Sequence, residues 1–268
     1  MRRFFFLVLL LTLILFSSCA YAGDNILQAG KLDGWEYLLL PKEGANTLLV
    51  YLHGSASTGW SVWRPTKPKG EFPRLLNEGE ILPPNCAVLI PHEKGKKMFK
   101  HAHELSAMIK KMQKRLGVDY VILSGHSHGA NIATLLASAF PDKYDGLISV
   151  SGRALKSPQP IVESEMPVLI VHGMLDQSNV SKKTLHSYHS LFPGLNLTNG
   201  NEALKHMEDA EYVTPEIHRY TEGNASLLWG DQRHTETSGI FRSEFLWDWI
   251  DDVIEQKMTN AEKTEKVE

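Results

Sequence analysis

The apolar positions of this chain fall into two kinds of run. Residues 47–52, 87–90, 120–123, 147–150 and 168–171 are short and nearly continuous in apolar character, as strands covered on both faces of a sheet are. Residues 35–40 make a further strand candidate, ended by Pro41, and Pro91 stops the run at 87–90. Between these runs the spacing is helical. Leu105, Met108, Ile109, Met112 and Leu116 recur at i, i+3, i+4, i+7 and i+11, which is one helix face, and Gly117 ends it. Residues 130–140 and 181–192 read as helices, 216–220 and 227–229 as the last strands, and 241–254 as a final amphipathic helix. Strands alternating with helices predict an α/β fold with a mainly parallel sheet and helices on both faces. No linker or internal repeat breaks the pattern. One domain is expected over residues 23–256, with a charged, frayed tail at 257–268.

A longer apolar run at residues 4–16 stands outside this pattern. Arg2 and Arg3 precede it, and Ser17, Ser18, Cys19, Ala20 and Ala22 follow. A charged start, an apolar centre and the site Ala20-Tyr21-Ala22 read as a signal peptide over residues 1–22, so an exported protein, periplasmic or secreted, is expected. Phe16-Ser17-Ser18-Cys19 also approximates a lipobox. On that reading Cys19 is lipidated, and only then is a membrane a partner. An uncleaved N-terminal anchor is the third reading. With Cys19 in the export segment, Cys86 has no partner for a disulfide, and its place at the start of an apolar run predicts a buried, inert thiol.

Composition narrows the class. The chain has 268 residues, 43% hydrophobic and 22% charged, which suits one packed domain rather than a disordered chain. The formal net charge is −3, with no basic concentration that would suit a nucleic acid.

The strongest chemical signal is Gly125-His126-Ser127-His128-Gly129, after one predicted strand and before one predicted helix. A nucleophile at a strand–turn–helix tip sits on strained backbone. The residues two before and two after it press on neighbouring main chain and must be small. This G-x-S-x-G pattern is a nucleophile elbow, with Ser127 as the nucleophile. Upstream, a buried strand ends in His53-Gly54-Ser55.

With these residues the chain resembles the α/β-hydrolase superfamily, over residues 35–254. The resemblance implies an oxyanion hole built from the N–H groups of Ser55 and His128, with His53 as a structural turn residue. It implies that Asp176, in the turn after the strand at 168–171, orients a catalytic histidine; a helix cap is the plainer reading of this acid. The family's chain order is Ser, Asp, His. His234 follows the run 227–229 among turn-forming residues and precedes the last helix, so it is the expected general base. His206 is its rival, and the Asn- and Gly-rich stretch 193–214 would account for the long gap from Asp176. His186, His189 and His218 fall inside predicted elements, and His172 reads as a structural residue at a strand end.

Within the superfamily the chain is similar to small carboxylesterases and phospholipases, and to feruloyl esterases and polyhydroxyalkanoate depolymerases. It lacks the Gly-Gly-His and Trp-Pro letters of the latter groups. Residues 151–167 are too few for an inserted lid, which implies an open site and an ester on a small molecule or a polymer. Trp60, Trp63 and His126 are candidate substrate contacts; surface packing is the alternative for the tryptophans. His92, His101 and His103 with Glu93 and Glu104 lack the spacing of a metal site, and residues 94–100 read as a solvated basic loop. No metal or cofactor is implied. The expected activity is carboxylic-ester hydrolysis through an acyl-enzyme. A serine peptidase, an acyltransferase and a non-catalytic binding protein of the same fold are the alternatives.

Overall fold

The computed structural model describes residues 26–68, 71–92, 98–152, 158–176, 188–195, 211–214 and 217–265. The signal segment with Cys19, the histidines His186 and His206, Glu93 and most of the basic loop, and most of the helix expected at 181–192 lie outside these residues.

The strands are β1 (Gln28–Leu32), β2 (Trp35–Leu40), β3 (Thr47–Leu52), β4 (Cys86–Pro91), β5 (Tyr120–His126), β6 (Gly146–Val150), β7 (Val168–Gly173), β8 (Glu211–Thr214), β9 (Ile217–Glu222) and β10 (Ala225–Gly230). Among the described residues they form one sheet in the order β1-β2-β4-β3-β5-β6-β7-β10-β9-β8. Its middle, from β4 to β10, is parallel, and antiparallel strands flank both edges. The helices are α1 (Phe72–Asn77), α2 (Ala102–Leu116), α3 (His128–Ala139), α4 (Gln159–Glu163) and α5 (Glu244–Glu265).

The continuous apolar runs are explained by helices on both sheet faces. Leu48, Val50 and Leu52 join one core with Leu105, Met108, Ile109 and Met112 of α2 and Ile132 and Leu136 of α3. Leu49 and Tyr51 join the other with Phe72 of α1 and Leu246, Ile250 and Val253 of α5. Phe72 stacks on Phe241 at 4.2 Å between ring centroids, and Tyr51 meets both rings edge-on. Gly117 ends α2 in the left-handed region at φ 67°, as the sequence predicts. Cys86 is buried, and burial pushes its thiol up to about 12.

Three features differ from the expectation. The last helix starts at Glu244, because residues Thr237–Arg242 form a separate 3-10 turn, and it continues to Glu265 through most of the segment read as a frayed tail. The edge strands β1 and β8 and the short helix α1, started by Pro73, had no periodic signal. The stretch 188–191 is turn where helix was expected.

The order of the sheet places the site. β4 lies on one side of β3, and β5 lies on the other. The direction in which successive strands are added therefore reverses at β3, between β4 and β5, and ligands of open α/β sheets bind outside the carboxyl ends at such a point. Ser55 follows β3 there, and Ser127 follows β5.

Candidate active site

Ser127 stands alone between β5 and α3, at φ 56° and ψ −117°. Such backbone costs a non-glycine residue about 1–3 kcal/mol and persists only where its surroundings hold it. Here the Ser127 N–H donates to the Val150 carbonyl at 2.9 Å, and the Ser127 carbonyl accepts from Asn131 at 3.2 Å. The two glycines permit the turn. A Cβ on Gly125 would come within 2.5 Å of the Gly129 main chain, and a Cβ on Gly129 would overlap the Leu52 carbonyl oxygen. The small-residue requirement read from the sequence is thus a requirement of close main-chain approach to β3 and α3.

Asp176 lies three residues beyond β7 and is fully buried. Its loop and the loop after β10 are tied together. Met174 donates to the Gly230 carbonyl at 2.9 Å, and Leu175 to the Gln232 carbonyl at 3.1 Å. Gly173 makes this possible, since a Cβ there would overlap the Gln232 carbonyl oxygen. The result is a 2.6 Å hydrogen bond from His234 Nδ1 to Asp176 Oδ2. A carboxylate only accepts, so the proton is on Nδ1 and the neutral ring keeps Nε2 as its acceptor. The length is that of a charge-assisted bond. The His234 side chain is 23% exposed, so the ring borders solvent while its partner does not.

The main chain of His234 is held as firmly as its ring. Its carbonyl accepts from His126 Nε2 at 2.8 Å and from Thr237 Oγ1 at 2.8 Å. Ser151, itself at φ 47°, supplies a 2.8 Å bond to Thr237; because the threonine proton goes to His234, Ser151 is the donor. The ring of His126, the residue before Ser127, lies 4.8 Å from the ring of His234. Asp176 and His234 are thus joined directly, and the elbow meets them through His126.

His126 is buried, and burial lowers its pKa to about 4, so it is neutral at pH 7. Its Nδ1 faces the carboxyl of Glu71, 3.9 Å away. Glu71 is also buried. It accepts from Ser57 Oγ at 2.8 Å, and its pKa is raised by burial, against the pull of that hydrogen bond and of His234. Sequence reading missed Glu71, Ser57, Ser151 and Thr237. Glu71 lies two residues before Pro73 and carries no motif, so only the fold brings it to the elbow.

The other candidates are placed as follows. Ser55 opens the 3-10 turn Ser55–Ser57 after β3. His128 is the first residue of α3, where N–H groups have no acceptor within the helix. Its ring lies 5.1 Å from Phe99. Trp60 is 89% exposed, whereas Trp63 is half-buried against the second core. His53 is buried and donates from Nδ1 to the Gly54 carbonyl at 3.0 Å, a turn contact. His218 stacks on Trp229, and His189 donates to the Leu195 carbonyl at 3.1 Å. His101 pairs with Glu104, His103 meets Phe140 edge-on, and His92 donates to the Gly59 carbonyl. Among the described residues no cluster of three or more His, Cys, Asp or Glu could hold a metal ion.

The family described as alpha/beta hydrolase fold matches residues 83–166, a span that contains the elbow. Solved structures match more of the chain. A Thermus thermophilus protein, TT1662, superposes with a TM-score of 0.54 at 16% identity, over 85% of this chain and 98% of its own. Est1E from Butyrivibrio proteoclasticus gives 0.52 at 14%, over 84% and 99%. An acetyl xylan esterase from Aspergillus awamori gives 0.53 at 14%, over 78% and 93%. No curated protein sequence matches the chain.

Proposed function

We propose that this chain, whose fold is that of the α/β-hydrolases, hydrolyses carboxylic esters with Ser127 as nucleophile, His234 as general base and Asp176 as the acid that orients it. The observation that carries the reading is the strained elbow at Ser127 together with the 2.6 Å bond between Asp176 and His234. The name of the Aspergillus awamori structure assigns ester hydrolysis to that protein, which favours the same chemistry here.

In this reading His234 Nε2 takes the proton of Ser127 Oγ as the oxygen attacks the ester carbonyl. The N–H groups of Ser55 and His128 hold the negative oxygen, each contributing about 3 kcal/mol to the transition state. The imidazolium, stabilised by Asp176, then protonates the leaving alcohol. Water repeats the sequence on the acyl-enzyme. The span 151–167 between β6 and β7 leaves no room for a lid domain, which favours an ester on a small or polymer-borne substrate.

Purified protein tested on p-nitrophenyl esters of increasing chain length should release p-nitrophenol, and Ser127→Ala should not. Cleavage of peptide substrates alone, or acyl transfer to an added alcohol in preference to water, would replace the esterase reading by one of the others. Export stands as part of the proposal: N-terminal sequencing of the mature protein should begin at Gly23, and a lipid on Cys19 would mark a lipoprotein instead.

A further inference from the structure

Behind the elbow lies a buried polar cluster that the proposed chemistry does not use directly. Glu71, at the start of α1, accepts from Ser57 through Oε2, and its Oε1 faces His126 Nδ1 at 3.9 Å. Both groups lie against the bare Cα of Gly54: a Cβ there would be 3.3 Å from Glu71 Oε1 and 3.5 Å from His126 Nδ1. The proton positions follow from the acceptors. His126 Nε2 meets the His234 carbonyl at 2.8 Å, so Nε2 carries the ring proton. A neutral ring then leaves Nδ1 as a buried acceptor, and it has no hydrogen-bond partner among the described residues. Among the described residues, the acidic group that faces this nitrogen is Glu71, while Asp176 acts on the ring from beside His234. A carboxylate would present a lone pair to a lone pair. A carboxylic acid would present a donor, while its other oxygen still accepts from Ser57.

We infer that Glu71 is a positioning residue for the general base: as a neutral acid it holds His126 in the tautomer that donates to the His234 main chain, and so fixes His234 relative to Ser127. This rests on the esterase reading for its kinetic consequence, though not for its structural one. The burial that raises the Glu71 pKa and lowers that of His126 agrees with both groups being neutral. The arrangement links three separate pieces of chain. The loop after β3 supplies Gly54 and Ser57, the residue that caps the start of α1 is Glu71, and the elbow supplies His126. Each shift of the Glu71 carboxyl therefore acts on the base through one ring, whose two nitrogens face opposite neighbours.

The test compares wild type, Glu71→Gln and Glu71→Ala by histidine-ring nitrogen NMR on 15N-histidine protein and by steady-state turnover of p-nitrophenyl acetate. Glutamine can still donate to Nδ1 and accept from Ser57, so Glu71→Gln should keep a neutral His126 with its proton on Nε2, and should keep kcat within about threefold of wild type. Glu71→Ala should lose that single tautomer and lower kcat by about 10- to 100-fold, with KM changed by less than about threefold, because a misplaced base slows chemistry rather than binding. If Glu71→Ala does not fold, Glu71→Met keeps the volume without the donor and carries the same comparison. An imidazolium or an Nδ1–H tautomer at His126 in wild type at pH 7 would overturn the inference. So would Glu71→Gln falling as far as Glu71→Ala, since a charge would then be what matters, or Glu71→Ala matching wild type in both readouts. If wild type turns over no ester and Ser127 takes no fluorophosphonate, the esterase reading fails, and the ring spectra still decide the role of Glu71.

Discussion

The two ends of the parallel sheet are built differently. At the carboxyl ends of β3, β5, β6, β7 and β10 the backbone is strained and the polar groups are buried. Ser127 and Ser151 are at positive φ, and His126, Asp176, Ser151 and Thr237 are all buried and hydrogen-bonded to one another or to His234. At the amino ends of β7 and β10 lies a cavity of about 390 Å³, between Ile161, Met166, Leu191, Pro193 and Asn224. Its walls are mostly apolar, and Gly223 nearby adopts positive φ in an ordinary turn with open space around it. A cavity of that size would normally be the first place to look for a ligand. Here strained backbone and buried polar groups, not volume, mark the end proposed to carry the chemistry.

The difference predicts where substitutions matter. The largest effect at the carboxyl end is expected from the proposed base and the acid bonded to it. His234→Ala and Asp176→Asn should each lower kcat for p-nitrophenyl acetate by about 10³–10⁴-fold while the fold persists, as thermal melting and circular dichroism would check. If both keep turnover within a few-fold, the 2.6 Å pair is structural only.

Glycines sharpen the contrast in stability. Gly129→Ala drives a Cβ into the Leu52 carbonyl and should cost about 3 kcal/mol or prevent folding. Gly223→Ala meets nothing within 4 Å, and its left-handed φ of 56° alone should cost about 1 kcal/mol. Chemical denaturation measures both; equal costs would contradict the close approach claimed for the elbow.

The buried histidine gives the carboxyl end a pH signature. His126 has an ordinary pKa of 6.5 when unfolded and about 4 when folded. Between these values the unfolded chain binds the extra proton and the native one does not, so stability falls as pH drops from 6.5 toward 4. The loss amounts to about 3 kcal/mol for this group. Glu71, raised above 4.5 by burial, acts in the opposite sense and loses stability as pH rises through its own range. Asp176 and His234 face the same ring, so the comparison is made by difference. Denaturant midpoints across pH 4–7 should show a shallower acid loss in His126→Gln than in wild type. Identical profiles would mean that His126 is not held neutral.

The smallest effect is expected at the amino end. Val162→Asp, on the rim of the apolar cavity, should leave ester turnover within about twofold of wild type. A loss comparable to that of His234→Ala would make the cavity part of the site.

The two ends also differ in how far the sequence announces them. The central strands are legible because both faces are covered, which turns burial into unbroken apolar letters at residues 48–52 and 168–171. The elbow is legible because close main-chain approach demands glycine at two fixed offsets. Asp176 and His234 stand in turns after strands, where the resemblance to the α/β-hydrolases expects the acid and the histidine. Glu71, Ser57, Ser151 and Thr237 are not, because their roles depend on loops from β3, β6 and β10 meeting in space. The edge strands β1 and β8 are equally silent: Gln28–Leu32 is half-exposed and short, and its pairing to β2 is set by the turn at Asp33-Gly34.

The central claim is that Ser127 carries the acyl group during turnover. The direct measurement is to quench the enzyme with acid milliseconds after mixing with an excess of a p-nitrophenyl ester, digest it, and weigh its peptides. The account predicts one added acyl mass, on the peptide containing Gly125-His126-Ser127-His128-Gly129, assigned by fragmentation to Ser127 and absent in Ser127→Ala. An acyl group on another residue, or none while wild type and Ser127→Ala hydrolyse the ester equally fast, would contradict it.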